Sequence, residues 1–468
     1  MALSLTRRLC REMDRHLASP DAAPVTVSVA PAELRRRLSR YDFSAPLDPG
    51  AVFDDVAEML QRWTEHAAHP MHFGLFRPGA HPAAVIAEAL VALHDPNLAT
   101  WEFSPAANEI ERHVLRFLAA RLGLDPDASA AHFTSGGQEA NHTAVSVALT
   151  HAFPDVAGSG LRGLPGAPVL YVSGEGHHSF EKVAHQTGLG RDARRTVPVT
   201  PDLRLDVEAL ARRLAEDRRA GLLPFMVVGT AGTTNAGVVD PLPELADLCA
   251  AEGLWLHVDA AWGGAAALSE RLRPVLAGIE RADSITFDAH KWLSVPVGAG
   301  MLFCRHPGAV RDTFRVDAAY VPDSAGAGRF APLASSMQWS RRCTGLKLFM
   351  PLAELGLPGV ARLIEHQAEM GDLLRRRLRD AGWTLLNETP LPVVCFTSPA
   401  IRSGATTPAA VVDALRARGE AWISKTLLAG RIPALRACIA NFATGPEHLD
   451  ALVRALERAA RGSGEAAR

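Results

Sequence analysis

The chain has 468 residues, 48% of them apolar, with 49 Lys and Arg against 51 Asp and Glu for a formal net charge of −2. That length allows a large core and more than one domain, and the balanced charge, without any basic block interleaved with aromatics, offers no footprint for nucleic acid or an acidic membrane. No run reaches about 18 uninterrupted apolar residues, MALSLTRRLCREMDRHL lacks the apolar core of a signal peptide, and six scattered cysteines form neither a zinc pattern nor a disulfide framework; small-molecule chemistry in a reducing cytoplasm is the expectation.

From Asp54 to Ala68, Val56, Met59, Leu60 and Trp63 fall at helical spacing until His69-Pro70 interrupts, so roughly the first 70 residues read as helical. A second helix has Ser104 as a candidate cap, Pro105 in its first turn, a stripe of Ile110, Val114, Phe117, Leu118 and Leu122, and Gly123 as its stop. Short β-type runs follow, Val169 to Ser173, Phe225 to Gly229, Trp255 to Val258, Ser284 to Phe287 and Met301 to Cys304. They alternate with helical stretches such as Asp206 to Arg219 and Pro243 to Ala251. That alternation predicts an α/β fold with a buried, mostly parallel sheet. After Gly345 a long amphipathic helix (Val360, Leu363, Ile364, Leu374, Leu378) leads to strands near Thr384 to Leu386 and Val393 to Phe396. A closing helix with Pro446 in its first turn completes a smaller α+β unit, and the final RGSGEAAR reads as disordered. The expected divisions are 1–80, 81–345 and 346–468.

Two patterns are decoys. GSGLRG (158–163) precedes a strand instead of following one, so it lacks the setting of a dinucleotide loop. His66, His69 and His72 are spaced by three, but Pro70 breaks the helix that would align them, and no metal site is expected.

Chemistry-bearing residues gather at strand ends, where an α/β sheet opens its ligand crevice. In TSGGQEANHTAVSVAL (134–149), Ser135, Gly136 and Gly137 precede a helical run, which suits a phosphate, although a Gly-Gly turn is also plain geometry. In HVDAAWGG (257–264) a strand ends on Asp259 beside small residues; the carboxylate could pair with a ring nitrogen or simply cap a helix. TFDAHKW (286–292) brings a strand end to His290 and Lys291. The chain holds only three other lysines: Lys182 and Lys347 in predicted helices, and Lys425 near a strand-loop boundary, where surface or structural roles are expected. SGEGHHSFEKVA (173–184) places His177 at a turn, where an imidazole could lie on a flat cofactor or exchange a proton.

The ordered set S-G-G-Q-E-A-N, G-H-H-S, G-T-A-G-T-T, H-V-D-A-A and H-K-W, with His69-Pro70, SPAANEIE (104–111), QWSRR (338–342) and ALRACIANF (434–442), resembles the group II pyridoxal-dependent decarboxylases. The resemblance implies the aspartate aminotransferase-like fold type I and a homodimer whose subunits share active sites, with residues 1–80 packing on the partner. It further implies pyridoxal 5′-phosphate held by Lys291 as a Schiff base, Asp259 at the pyridinium nitrogen, Ala261 beneath the ring and His177 above it. Thr234 would lie near the phenolic oxygen; Ser135, Gly136, Gly137 and Gln138 near the phosphate; Asp288 and His290 beside the lysine. Phe76, Arg77 and Trp101 would border the substrate pocket.

The implied reaction is decarboxylation of an L-amino acid to an amine and CO2, with an aromatic or other apolar side chain favoured and Arg77 as a possible partner for an acidic one. One departure opens an alternative. The family's mobile loop, equivalent to 321–337, commonly carries a tyrosine that protonates the carbon left by CO2, yet VPDSAGAGRFAPLASSM has none. Tyr320 is the nearest such hydroxyl, and Phe330 brings oxygen-dependent aldehyde formation into consideration, because plant relatives with phenylalanine for that tyrosine make aldehydes. Another pyridoxal lyase, an aminotransferase, or a non-catalytic scaffold are the remaining alternatives.

Overall fold

A computed structural model describes residues 2–19, 21–316 and 331–465. Among the described residues, eleven strands form two sheets: β1 Ala130–Thr134, β2 Pro168–Ser173, β3 Arg194–Val197, β4 Leu223–Thr230, β5 Trp255–Asp259, β6 Ser284–Asp288 and β7 Gly300–Cys304 in the larger, and β8 Thr384–Leu385, β9 Val393–Thr397, β10 Ser424–Leu428 and β11 Ile432–Cys438 in the smaller.

The large sheet runs in the order β1-β7-β6-β5-β4-β2-β3. The pairings of β2 with β3, β2 with β4, β4 with β5 and β5 with β6 are parallel, and β7 is antiparallel to both β6 and β1. Its strands β2, β5, β6 and β7 are buried at every position, as mostly apolar strands covered on both faces should be. The expected α/β class and mostly parallel sheet are therefore observed. Helices Val207–Arg219 and Leu242–Glu252 cross between strands, the first capped by Asp206, whose side chain accepts from Ala209 N–H.

The small sheet is antiparallel, in the order β10-β11-β9-β8. Its period of two divides the side chains. Val394, Phe396, Leu435 and Ala437 pack with Leu374, Leu378, Leu452 and Leu456 from the helices behind, whereas Val393, Cys395 and Cys438 join the core of the large sheet.

Helices Ala2–Ala18, Pro31–Leu38 and Pro49–Trp63 occupy the start of the chain, the last capped by Asp48 through Ala51 N–H. The second predicted helix spans Pro105–Arg121, but Ser104 makes no side-chain cap; Asn108 Nδ2 instead donates to the carbonyls of Thr100 and Ser104. The long helix Leu346–Asp380 leaves helical backbone at Gly356, two residues ahead of Pro358. The closing helix Pro446–Glu465 runs into the stretch read as disordered, because an established helix adds one hydrogen bond for each residue it extends. Strands β1, β3, β10 and β11 had no clear periodic signal. Tyr320 and Phe330 lie outside the described residues.

Candidate active site

Strands β5 and β6 end side by side, with Asp259 opposite Thr286. Past those ends the chains remain tied, since Ala260 N–H donates to Thr286 O and Asp288 N–H to Ala261 O, both at 3.0 Å. Two carboxylates, Asp259 and Asp288, are thereby fixed at neighbouring strand ends, 5% and 1% exposed.

Lys291 follows three residues after Asp288 and sets its Nζ 3.0 Å from Asp288 Oδ2. Asp288 Oδ1 is buried with no hydrogen-bond partner among the described residues, so the carboxylate keeps spare acceptor capacity in a place where a polar ligand would be welcome. His290 Nε2 lies 3.8 Å from the same Oδ2, and its Nδ1 accepts from Ala299 N–H at 3.2 Å. Burial lowers the His290 pKa, with Asp288 opposing, so the ring is neutral at pH 7.

The helix Gly137–Ala152 begins against these strand ends. A Cβ on Gly137 would lie 2.8 Å from Asp288 Oδ2 and 3.2 Å from Ala261 Cβ, and one on Gly300 of β7 would lie 2.5 Å from the carbonyl carbon of Gly136. Glycine at these positions is what lets the turn reach the crevice. The first-turn N–H groups of a helix have no intrahelical partners. Here they open beside Asp288, Ala261 and the exposed Ser135 and Gln138. Ser135 N–H donates to Glu139 at 2.9 Å, and Glu139 also accepts from Gln338 Nε2 at 2.8 and 3.0 Å.

Asp259 accepts from Ala261 N–H through Oδ1 at 3.1 Å and from Asn141 Nδ2 through Oδ2 at 3.0 Å. His177 is exposed, and its Nδ1 accepts from Ser179 N–H at 3.1 Å. Its pKa is lowered, first by desolvation from the protein packed beneath it, with Asp259 raising it and Lys291 lowering it further; the ring is neutral at pH 7 and close enough to both groups to feel their charge. Thr234 is half-buried in the turn after β4.

Phe76 joins the cluster from the N-terminal part of the chain. It stacks on Trp262 at 4.5 Å and 26°, Trp262 stacks on Trp292 at 4.9 Å and 12°, and Lys291 Nζ is 6.0 Å from the Phe76 ring centre. Such offset stacks hold a ring in a single orientation. Arg77 is exposed, and Trp101 donates through Nε1 to Glu109 at 2.9 Å. Lys347, read as structural, is buried with its Nζ 3.0 Å from Glu88 and donating to Val297 O at 3.1 Å.

A family model described as the pyridoxal-dependent decarboxylase conserved domain matches residues 31–398. The chain belongs to that family. It is 31% identical to the aromatic-L-amino-acid decarboxylase of Bacillus atrophaeus over 386 residues, 81% of this chain and 78% of that protein. With the L-2,4-diaminobutyrate decarboxylase of Rhizobium meliloti it shares 34% over 390 residues, 81% and 76% of the respective chains. The crystal structure of mouse CSAD superposes with a TM-score of 0.90 at 26% identity, covering 98% of each chain. Pyridoxal phosphate is thus the cofactor, the fold is that of the fold type I enzymes, and the reaction class is decarboxylation of an amino acid.

The residues present fit that group. A glycine cradle that a single Cβ would fill stands at a helix N-terminus, suited to a phosphate. A lysine amine lies in the same cluster, a buried carboxylate ends β5, and an orphaned acceptor sits on Asp288.

Residue-by-residue reading missed a second tier. Asn141, His257 and Thr286 were passed over as parts of motifs, although a polar residue inside a buried strand signals a required partner. Arg436 was missed too. It is 4% exposed in β11, its Cζ lies 4.5 Å from the centre of the Phe76 ring, and it donates from Nη1 to Gly74 O at 3.1 Å and from Nε to Asn235 O at 3.2 Å. Its signal was a lone arginine in the otherwise apolar run ALRACIA.

Proposed function

We propose that the chain decarboxylates an L-amino acid with an aromatic or other apolar side chain to the amine and CO2. Lys291 would anchor the cofactor covalently, and Asp259 and His177 would be its working partners. The observation that carries this reading is the convergence of Lys291, Asp288 and Asp259 at the adjoining ends of β5 and β6, beside the glycine turn. When bound, pyridoxal phosphate supplies an electron sink for the carbon that loses CO2.

The protein's own contribution is positional and electrostatic. Asp259, held by two N–H donors, would keep a proton on the ring nitrogen facing it. Asp288 holds the Lys291 amine at the strand end, and His290 stands beside both. Gly136, Gly137 and Gln138 would offer backbone donors to the phosphate and Ser135 its hydroxyl, its N–H being taken by Glu139; Ala261 would lie under the ring, His177 over its other face, and Thr234 near its phenolic oxygen. With Nδ1 engaged by Ser179 N–H, the neutral His177 imidazole carries its proton on Nε2 and would present that N–H to the cofactor or the substrate.

The preference for an apolar side chain rests on Phe76, fixed by its stack on Trp262; Arg77 and Trp101 are proposed at the pocket rim. Arg436, its guanidinium over Phe76, favours a second reading, an acidic side chain. The shared-site homodimer is supported by Leu9, Leu38, Phe43, Leu47, Val56 and Leu60, apolar and exposed on residues 1–80, which a partner would cover. The proposed divisions 81–345 and 346–468 are supported by the separation of β1 to β7 from β8 to β11 into two sheets, and the cytoplasm, where the buried free thiols would stay reduced, is the proposed compartment.

Visible absorption during titration with aromatic, aliphatic, acidic and diamino L-amino acids, with CO2, amine, aldehyde and peroxide assayed together, tests the reading. The expected result is CO2 with equimolar amine, highest for aromatic substrates, and loss of the cofactor band in Lys291→Ala. Aldehyde with peroxide would move the reaction to the oxidative alternative; no band and no CO2 would leave the scaffold. Sedimentation velocity at micromolar concentration tests the dimer.

A further inference from the structure

Behind Asp259 lies a group of polar side chains that the catalytic reading leaves unused. Asn141 is 1% exposed, and His257, Ser284 and Thr286 are fully buried, so each must satisfy its hydrogen bonds within the group. The carboxylate fixes the direction of the first bond, and the others follow from it. A carboxylate only accepts, so the Asn141 amide must turn its Nδ2 toward Asp259 Oδ2, 3.0 Å away, and that nitrogen also donates to Ser179 Oγ at 3.1 Å. Asn141 Oδ1 is then an acceptor, taking the Thr286 hydroxyl at 2.7 Å and His257 Nε2–H at 3.1 Å. With Nε2 protonated, neutral His257 accepts at Nδ1 from the Ser284 hydroxyl at 2.8 Å. Ser284 Oγ in turn accepts from Trp255 Nε1–H at 2.8 Å. In this arrangement the bonds from Trp255 through Ser284, His257 and Asn141 run one way to the carboxylate, with Thr286 as a second donor to Asn141 Oδ1 and Ser179 Oγ as a side branch from Asn141 Nδ2.

We propose that Asn141 and His257 are positioning residues for Asp259, delivering a fixed N–H to its Oδ2 so that the ionised carboxylate is held ready for the ring nitrogen of the cofactor. The inference rests on the assignment of Asp259 to that nitrogen. Successive bonds polarised in one direction strengthen each other in a low-dielectric interior, and a charge-assisted N–H···O⁻ bond at the end of the chain is shorter and stronger than a neutral one. Burial holds the His257 pKa down at about 4, so the neutral tautomer the chain requires persists at physiological pH. Asn141 lies 118 residues from Asp259 in sequence, and no local backbone requirement puts an amide there.

The test is equilibrium binding of pyridoxal phosphate to the apo-protein, followed by absorbance, with the melting temperature of each apo-variant recorded alongside. Asn141→Val and His257→Phe should bind the cofactor about 10- to 100-fold more weakly, the range for a lost bond to a charged group. His257→Gln, which can still donate toward Asn141 Oδ1, should bind close to wild type. Tyr171→Phe, which removes a buried bond to Asp217 remote from the site, should lower the melting temperature and leave binding unchanged. Wild-type affinity in Asn141→Val and His257→Phe would overturn the proposal while leaving the cofactor reading intact; failure of the wild-type protein to bind would overturn both. Should those variants not fold, 15N spectra of histidine-labelled wild type decide: His257 protonated on Nε2 supports the chain, and a proton on Nδ1 overturns it.

Discussion

Arg341→Met is the most informative single perturbation outside the site. Arg341 Nη1 lies 2.5 Å from Glu111 Oε1, with the two side chains 4% and 3% exposed, and Glu111 Oε2 accepts from Gly345 N–H at 3.1 Å. Removing the guanidinium strands a buried carboxylate with one remaining donor, a defect worth about 3–5 kcal/mol. Replacing both partners, Arg341→Met with Glu111→Leu, deletes the charge along with its counter-charge. The Gly345 bond, about 1 kcal/mol, and the longer 3.4 Å bond from Arg341 Nη1 to Phe133 O are then left unmade. The double variant should therefore recover most of the stability the single one loses. Urea unfolding of the holo-protein with excess cofactor measures all three chains. The single variant should also release cofactor sooner, because Gln338, three residues earlier, donates to the Glu139 carboxylate that accepts from Ser135 N–H. A double variant as unstable as the single one, or a single variant within about 1 kcal/mol of wild type, would refute the reasoning, since an ion pair this deeply buried must cost more to break than to delete.

Gly137→Ala should weaken cofactor binding and cost about 1–3 kcal/mol of stability, because its Cβ would stand 2.8 Å from an Asp288 oxygen already engaged by Lys291; calorimetry and cofactor titration check both. His257 titrates near 4 in the folded protein against about 6.5 unfolded, so between those values the unfolded state binds more protons and stability falls as pH is lowered, by on the order of 3 kcal/mol. Asp240, raised by burial to about 6, has the opposite sign: its contribution is present below about 3.9 and is lost as pH rises through 6. The difference between wild type and His257→Gln in urea unfolding at pH 7 and pH 4.5 isolates the first effect, and an unchanged difference would contradict it. Phe76→Leu should raise KM for aromatic substrates about 2- to 10-fold through the lost ring contact, with aliphatic substrates little affected, and steady-state kinetics on both classes decides.

What could be read from sequence was what is local in sequence. Strands β2, β4, β5, β6 and β7 announce themselves as short, mostly apolar runs, and the ends of β5 and β6 carry Asp259 and the Asp288 to Lys291 turn within a few residues. Strand β1, with His132 in its middle, and β3, which reads RRTV, lack such runs and are strands because the sheet recruits them: β1 by pairing with β7, β3 by pairing with β2. Ser104 looked like a cap, but Asn108 reaches back from within the helix to occupy its carbonyl. Arg436 and the Phe76 stack were out of reach for another reason, since Arg436 meets Gly74 across 362 residues of chain.

The helix Gly137–Ala152 shows how one local motif carries information that only the fold exposes. Residues four apart on a helix share a face, so Gly137 and Asn141 both point at the ends of β5 and β6: the first against Asp288 and Ala261, the second onto Asp259. In the proposed reading, the same helix that offers its N-terminus to the phosphate also fixes, one turn later, the carboxylate at the opposite end of the ring. A displacement of this helix would therefore disturb both contacts together, and the glycine at its start and the amide one turn on are parts of a single device for setting the cofactor's position.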